Sequence, residues 1–175
     1  VDATASMSTA HGPATKRRYA ARAGAALAYP ALKMHDAPGL RILGGDAAVA
    51  IPPRTGPHQL LEIVGVLSNL STAGRADLGR AIEEAAACCT RRGLIVVISD
   101  LFDREEAILA AFAQLRFRGH EVLVVHVLDP WERELPERGN QVSADIVVER
   151  PKRRDVEHAR LPGAPGPRNH PVDSP

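Results

Sequence analysis

The chain has 175 residues, close to one domain on a prior of about 150 residues per domain, which argues against a multidomain machine. Hydrophobic residues make up 45% and charged residues 25%, near the globular average, which excludes wholesale disorder. With 22 Lys and Arg against 21 Asp and Glu, a formal charge of +1, and only 3% aromatics, it lacks both the basic footprint of a dedicated nucleic-acid binder and the stacking platforms of a single-strand binder.

The first legible motif is Val1-Asp2-Ala3-Thr4-Ala5-Ser6-Met7, an Asp followed at alternate positions by two hydroxyl residues. In a loop leaving a strand, Asp2, Thr4 and Ser6 can converge to offer one carboxylate and two neutral oxygens, hard ligands that suit Mg²⁺. A helix from about Thr15 to Met34 aligns Tyr19, Ala23, Leu27 and Met34. Pro30 inside it should kink or end it, at a cost of about 3 kcal/mol. Lys16, Arg17 and Arg18 crowd its start, where positive charge opposes the helix dipole; they read as a solvated face, with a surface that meets an acidic partner as the alternative.

Leu40 to Leu43 and Ala48 to Ile51 flank Gly44, Gly45 and Asp46 as a hairpin that would supply an antiparallel edge strand. After Pro52, Pro53 and Pro57, a helix over roughly His58 to Leu70 presents Leu60, Leu61, Val64 and Leu67. Another, from Asp77 to Arg92, puts Leu78, Ile82, Ala85 and Cys89 on one face. Cys88 and Cys89 read as buried helix thiols, since two adjacent cysteines build neither a disulfide framework nor a metal knuckle.

Leu94 to Ser99 is a continuous apolar run bounded by Gly93 and Asp100, and Glu121 to Leu128 repeats that texture before Asp129 and Pro130. Both predict parallel strands buried on two faces. Between them Asp103 can cap a helix carrying Ile108, Leu109, Phe112 and Leu115 and ending near Gly119. Strand, helix and strand imply a right-handed crossover in an α/β sheet. Ser99-Asp100 then lies at the carboxyl end of a buried strand, where open α/β sheets bind ligands.

Beyond Asn140 only the run Ala144 to Glu149 could pair as a last strand. Residues 150–175, rich in Pro and Arg, read as a disordered, solvated tail. No stretch reaches the 18 or so apolar residues of a membrane span and no secretory signal precedes the domain, so a reducing cytoplasmic setting is expected. His120 reads as a turn residue and His126 as a satisfied core histidine. Trp131 is placed over the sheet edge, with an exposed anchor for a partner as the alternative. Neither a phosphate-binding GxxxxGK loop, nor a GxGxxG fingerprint, nor a serine-hydrolase elbow is present.

The stretches VDATASM, ALAYPALKMHDAPGLRIL, ISDLFD and GHEVLVVHVLDPWERELP together resemble a von Willebrand factor A-type domain. More narrowly, they are similar to the bacterial domain of unknown function 58 family, partners of MoxR-type AAA+ ATPases. The resemblance runs from Val1 to about Pro136 and implies a doubly wound, mostly parallel α/β sheet with one antiparallel edge strand over residues 1–149. It also implies a metal-ion-dependent adhesion site in which Asp2, Thr4, Ser6 and Asp100 hold Mg²⁺ and a partner's Asp or Glu completes the coordination. Thr4 stands where Ser is usual. In Gly74-Arg75-Ala76-Asp77-Leu78, Ala76 stands where a Thr ligand belongs, so the site is degenerate, and Asp77 caps the next helix.

The function so implied is non-enzymatic: a protein-interaction module for a MoxR-type ATPase, or for another protein with an acidic ligand residue. Two alternatives are a metal-free scaffold and a Rossmann-like metal-dependent hydrolase using Asp2 and Asp100. Since Asp2 should follow the central strand and only Val1 precedes it, that strand is expected to be largely missing and the domain N-terminally truncated and marginal.

Overall fold

The computed structural model describes residues 1–10, 14–44, 49–74, 77–89, 91–134 and 147–149. They form a mixed α/β architecture whose best-defined part is the strand pair expected from the two apolar runs. Strand β3 (Leu94–Ser99) and strand β4 (Glu121–His126) pair in parallel, from Leu94 opposite Glu121 to Ser99 opposite His126. Helix α4 (Glu105–Phe117) is their crossover. It closes in the two-bond arrangement typical of a left-handed terminator: Gly119, at φ +84°, donates to Arg116 C=O, and His120 donates to Leu115 C=O.

Both faces of the strand pair are buried, as the unbroken β-branched runs require. Val97, Val122 and Val124 pack with Leu78, Ile82, Phe112 and Leu115 from helices α3 (Leu78–Ala87) and α4. Ile98, Val125 and Val127 pack on the other side with Met7 and with Ala20 of helix α1 (Lys16–Lys33). A third cluster joins α1 to helix α2 (Pro57–Ser68) through Ala28, Ile63 and Leu67.

The hairpin forms as strands β1 (Leu40–Arg41) and β2 (Ala50–Ile51), antiparallel, with Leu40 opposite Ile51. Buried Gln59 of α2 fastens it, its amide donating to Pro38 C=O at 2.7 Å and Pro52 C=O at 2.9 Å. Residues 1–3 lie between this hairpin and β3. Asp2 N–H donates to Ile98 C=O, while Ala3 N–H and Leu43 N–H bond to Leu43 C=O and Val1 C=O. Beyond β4, strand β5 (Val147–Glu149) pairs antiparallel, and the five-residue helix α5 (Pro130–Glu134) follows β4 in the chain. The hairpin residues Gly45 and Asp46, and the tail 150–175, lie outside the described residues.

Three helix expectations change. In α1 the stripe of Tyr19, Leu27 and Met34 is largely exposed, and the buried face carries Lys16, Ala20 and Ala28. The reason is close approach: a Cβ on Gly24, on that same face, would stand 3.3 Å from Leu67 and 3.7 Å from Ile98. Large side chains cannot occupy so tight a seam. In α2, Ile63 and Leu67 are buried while Leu61 is 69% exposed. Asp103 does not cap its own helix; its carboxylate accepts Leu78 N–H at 2.6 Å, the first amide of α3, and Arg104 caps α4 without a side-chain bond. Asp77 caps α3 as expected, accepting Arg80 N–H at 2.9 Å. Helix α1 runs three residues past Pro30, and Cys88 is exposed.

Two substitutions test this packing by chemical denaturation. A Cβ on Gly79 would stand 2.9 Å from Ala107 C=O, so Gly79→Val should cost about 1–3 kcal/mol. His35 follows α1 at φ +63°, and His35→Gly should add about 0.5–1 kcal/mol by removing a left-handed β-carbon.

Candidate functional site

The carboxyl end of β3 gathers three loops. In the first, Asp2 is buried and held from both sides: its Oδ1 accepts Thr4 N–H at 2.8 Å, and its Oδ2 accepts the Ser99 hydroxyl. Thr4 Oγ1 and Ser6 Oγ share a hydrogen bond of 2.9 Å within the short 3-10 turn that begins at Ala5. A second loop joins through Ala5 N–H to Gly74 C=O and Ala73 N–H to Ala3 C=O. The third is the continuation of β3, where Leu101 takes φ +55° and donates its N–H to Ser99 Oγ at 2.9 Å. A leucine in that region is strained, so the surrounding bonds must hold it there.

Asp100 faces a cation supplied by the chain itself. Lys16 Nζ lies 2.7 Å from Asp100 Oδ2 and 2.7 Å from Glu132 Oε1. The Lys16 and Asp100 side chains are each 3% exposed, the Glu132 side chain 35%. Asp100 Oδ1 accepts Phe102 N–H at 3.2 Å, and its carbonyl accepts His126 Nε2–H at 3.1 Å. Burial opposes the charge on Lys16, but hydrogen bonds to Asp100 and Glu132 and their negative charges outweigh it. The ammonium pKa therefore sits above its ordinary value. Glu132 is in turn placed by the start of α5. Its Oε2 accepts Asp129 N–H at 2.9 Å while Asp129 Oδ1 accepts Trp131 N–H at 3.1 Å, a capping-box arrangement.

Of the residues singled out from sequence, Asp2, Thr4 and Ser6 form one bonded group, and Asp2 reaches Ser99, the neighbour of Asp100. Asp100 itself turns to Lys16. Lys16 is thus no part of a solvated face. Its place on the buried stripe of α1, four residues before Ala20, is the signal that would have found it. Arg17 is likewise engaged, donating to Leu70 C=O. Glu132 gave no separate signal. Trp131 is 63% exposed rather than packed down, and Arg75 and Ala76 lie outside the described residues.

The fit to Mg²⁺ is partial. The 2.9 Å between Thr4 and Ser6 hydroxyls matches adjacent corners of an octahedron of roughly 2.1 Å bonds, about 3 Å apart. Among the described residues, however, no three His, Cys, Asp or Glu side chains converge as metal ligands, and the Asp100 carboxylate already carries an ammonium. Asp2, Thr4 and Ser6 thus offer their oxygens as one group, while Asp100 as arranged is paired with Lys16.

The model of the family described as "protein of unknown function DUF58" matches residues 1–160. The chain belongs to the DUF58 family. Uncharacterized proteins of Mycobacterium bovis and Mycobacterium tuberculosis are each 33% identical to it over 150 residues, covering 83% of this chain and 46% of theirs. This DUF58 chain thus spans about half the length of those relatives. Two solved structures share its fold, each covering 90% of this chain and 82% of the other. One is an aerotolerance-related membrane protein from Bacteroides fragilis (TM-score 0.58, 22% identity), the other the conserved hypothetical protein BatB from Bacteroides thetaiotaomicron (TM-score 0.60, 19% identity). Within the described residues of the present chain, no helix is long and apolar enough to cross a membrane.

Removing Lys16 should be costly, because it leaves Asp100 buried without its counter-charge. Lys16→Met should lose about 3–5 kcal/mol in urea unfolding, and most of that loss should return in Lys16→Met/Asp100→Asn. The pH dependence has a definite sign. With the folded-state pKa raised, the Lys16 contribution is fully present below its unfolded value of 10.5 and is lost as pH rises through the folded value. The alkaline fall in parent stability should therefore be shallower in Lys16→Met.

Proposed function

We propose that this DUF58 chain is a non-enzymatic protein-interaction module of doubly wound von Willebrand A type, working in the cytoplasm. In this reading the carboxyl ends of its strands present a degenerate adhesion site to an acidic residue of a partner, with a MoxR-type AAA+ ATPase as the first candidate. The observation that carries the reading is the meeting of three loops at the end of β3. Asp2 is tied there to Ser99, and Asp100 stands beside a cation. Open α/β sheets place their ligands at such strand ends.

The order hairpin, residues 1–3, β3, β4, with helices burying both faces of the strand pair, supports the doubly wound arrangement. The antiparallel β5 departs from a mostly parallel sheet. Both Asp2 carboxylate oxygens accept hydrogen bonds from within the chain, one from Thr4 N–H and one from the Ser99 hydroxyl, which suits a tie between loops.

Two measurements test the proposal. Biolayer interferometry against the MoxR-type ATPase encoded in the same genome should show binding, weakened at least about tenfold, or ~1.4 kcal/mol, by Asp100→Asn. An absence of binding, or indifference to that change, overturns the partner assignment. Titration of Mg²⁺ at fixed ionic strength should leave the parent Tm unchanged, since Lys16 already neutralises Asp100. A rise in Tm that Asp2→Ala and Asp100→Ala both remove would establish the Mg²⁺-assisted form instead.

A further inference from the structure

We propose that the Lys16 ammonium, in place of a divalent ion, is the cation that receives a partner's acidic side chain, and that Glu132 holds that position in the free protein. The proposal rests on the reading of the strand end as an acidic-ligand site and adds to it the receiving group and an internal competitor.

The two carboxylates on Lys16 are not equivalent. Asp100 is sealed at 3% exposure and is fixed further by Phe102 N–H, whereas Glu132 reaches in from α5 with its side chain 35% exposed. Lys16 itself is buried and so cannot be left with a vacant hydrogen-bonding face at no cost. Yet one outer carboxylate can replace another with the charge and the hydrogen bond conserved. The exchange is then decided by what else the incoming segment touches. Phe102, two residues beyond Asp100, is 80% exposed, and Trp131, next to Glu132, is 63% exposed. The fitting occupant is therefore a protein segment with a Glu or Asp beside apolar side chains.

Glu132 competes as a tethered ligand. Such an intramolecular group acts at an effective concentration of roughly millimolar or more, so isolated carboxylates are excluded while a segment with added apolar contact is admitted. Displacement also has a readable consequence. Glu132 Oε2 accepts Asp129 N–H, and Asp129 Oδ1 accepts Trp131 N–H, so release of Glu132 alters the hydrogen bonding around Trp131, the chain's single tryptophan.

The test uses acetate as the probe, titrated against chloride at constant ionic strength with Tm as the readout, while Trp131 emission, which follows release of Glu132, should change in the parent alone. Glu132→Ala vacates the outer position and should show a saturable rise in Tm with a midpoint in acetate at least tenfold lower than the parent's. Glu132→Gln, which keeps the side-chain volume, should fall between them. The response should vanish in Lys16→Met/Glu132→Ala and be unaffected by EDTA. Equal responses in parent and Glu132→Ala, no saturable response in Glu132→Ala, persistence without Lys16, or loss with EDTA would each overturn the proposal. The two levels fail separately. An acetate response of the expected pattern without ATPase binding removes the partner assignment alone. ATPase binding without that pattern removes the role of Lys16 and Glu132 alone.

Discussion

A lysine ammonium taken out of water must meet negative charge at hydrogen-bonding distance, and this constraint organises one end of the molecule. Lys16 stands on the innermost face of α1, so the helix cannot pack against β3 unless an anion waits where its first turn lands. Asp100 is that anion, set at the point where β3 ends and the backbone turns through the left-handed conformation of Leu101. Glu132 supplies the second charge from the helix after β4. Three segments far apart in sequence are thereby fixed by one side chain. The same contact leaves the site more ordered than two acidic loops alone would be, because two carboxylates at that distance would otherwise repel.

Asp2 performs a related service one strand away. Its backbone N–H bonds to Ile98 and its carboxylate to the Ser99 hydroxyl, so a single residue ties the first loop to β3 by main chain and side chain together. With Ala3 and Val1 bonded to Leu43, residues 1–3 join the hairpin to the parallel pair. Thr4 and Ser6 leave from a starting point that these bonds define, and their hydroxyls stand 2.9 Å apart.

The strand pair and its crossover were visible because Leu94–Ser99 and residues 121–128 are short runs rich in Val, Ile and Leu, the first lying between Gly93 and Asp100 and the second closed by Asp129. Asp77 was equally plain as a cap. The faces of α1 and α2 were harder, for a physical reason: hydrophobic periodicity weights large side chains, whereas close helix packing selects small ones. Tyr19 and Leu27 drew attention, yet Ala20, Gly24 and Ala28 lie in the seam. Lys16 was missed for that same reason, since it belongs to the seam by spacing and to the surface by residue type. Asp2, Thr4 and Ser6 were legible as a local group. What no local pattern contains is a contact such as Lys16 to Asp100, 84 residues apart, or Asp103 to the first amide of α3.

An adhesion site of the kind proposed for this chain can keep a function without its ion. A divalent ion serves there as a point of positive charge that two carboxylates leave unsatisfied, so that a third anion is attracted. A lysine held by one buried carboxylate offers the same unsatisfied valence with a lower charge and with directional N–H bonds. It needs no ion from solution, and it cannot be stripped from the chain. The cost is that a bare ammonium in so enclosed a place must be covered when no partner is present. A nearby glutamate on a short helix meets that need, being close enough to cover the charge and exposed enough to leave. In the proposed reading recognition does not depend on a hydroxyl ligand at position 76, because the positive charge is carried by Lys16 in the first turn of α1.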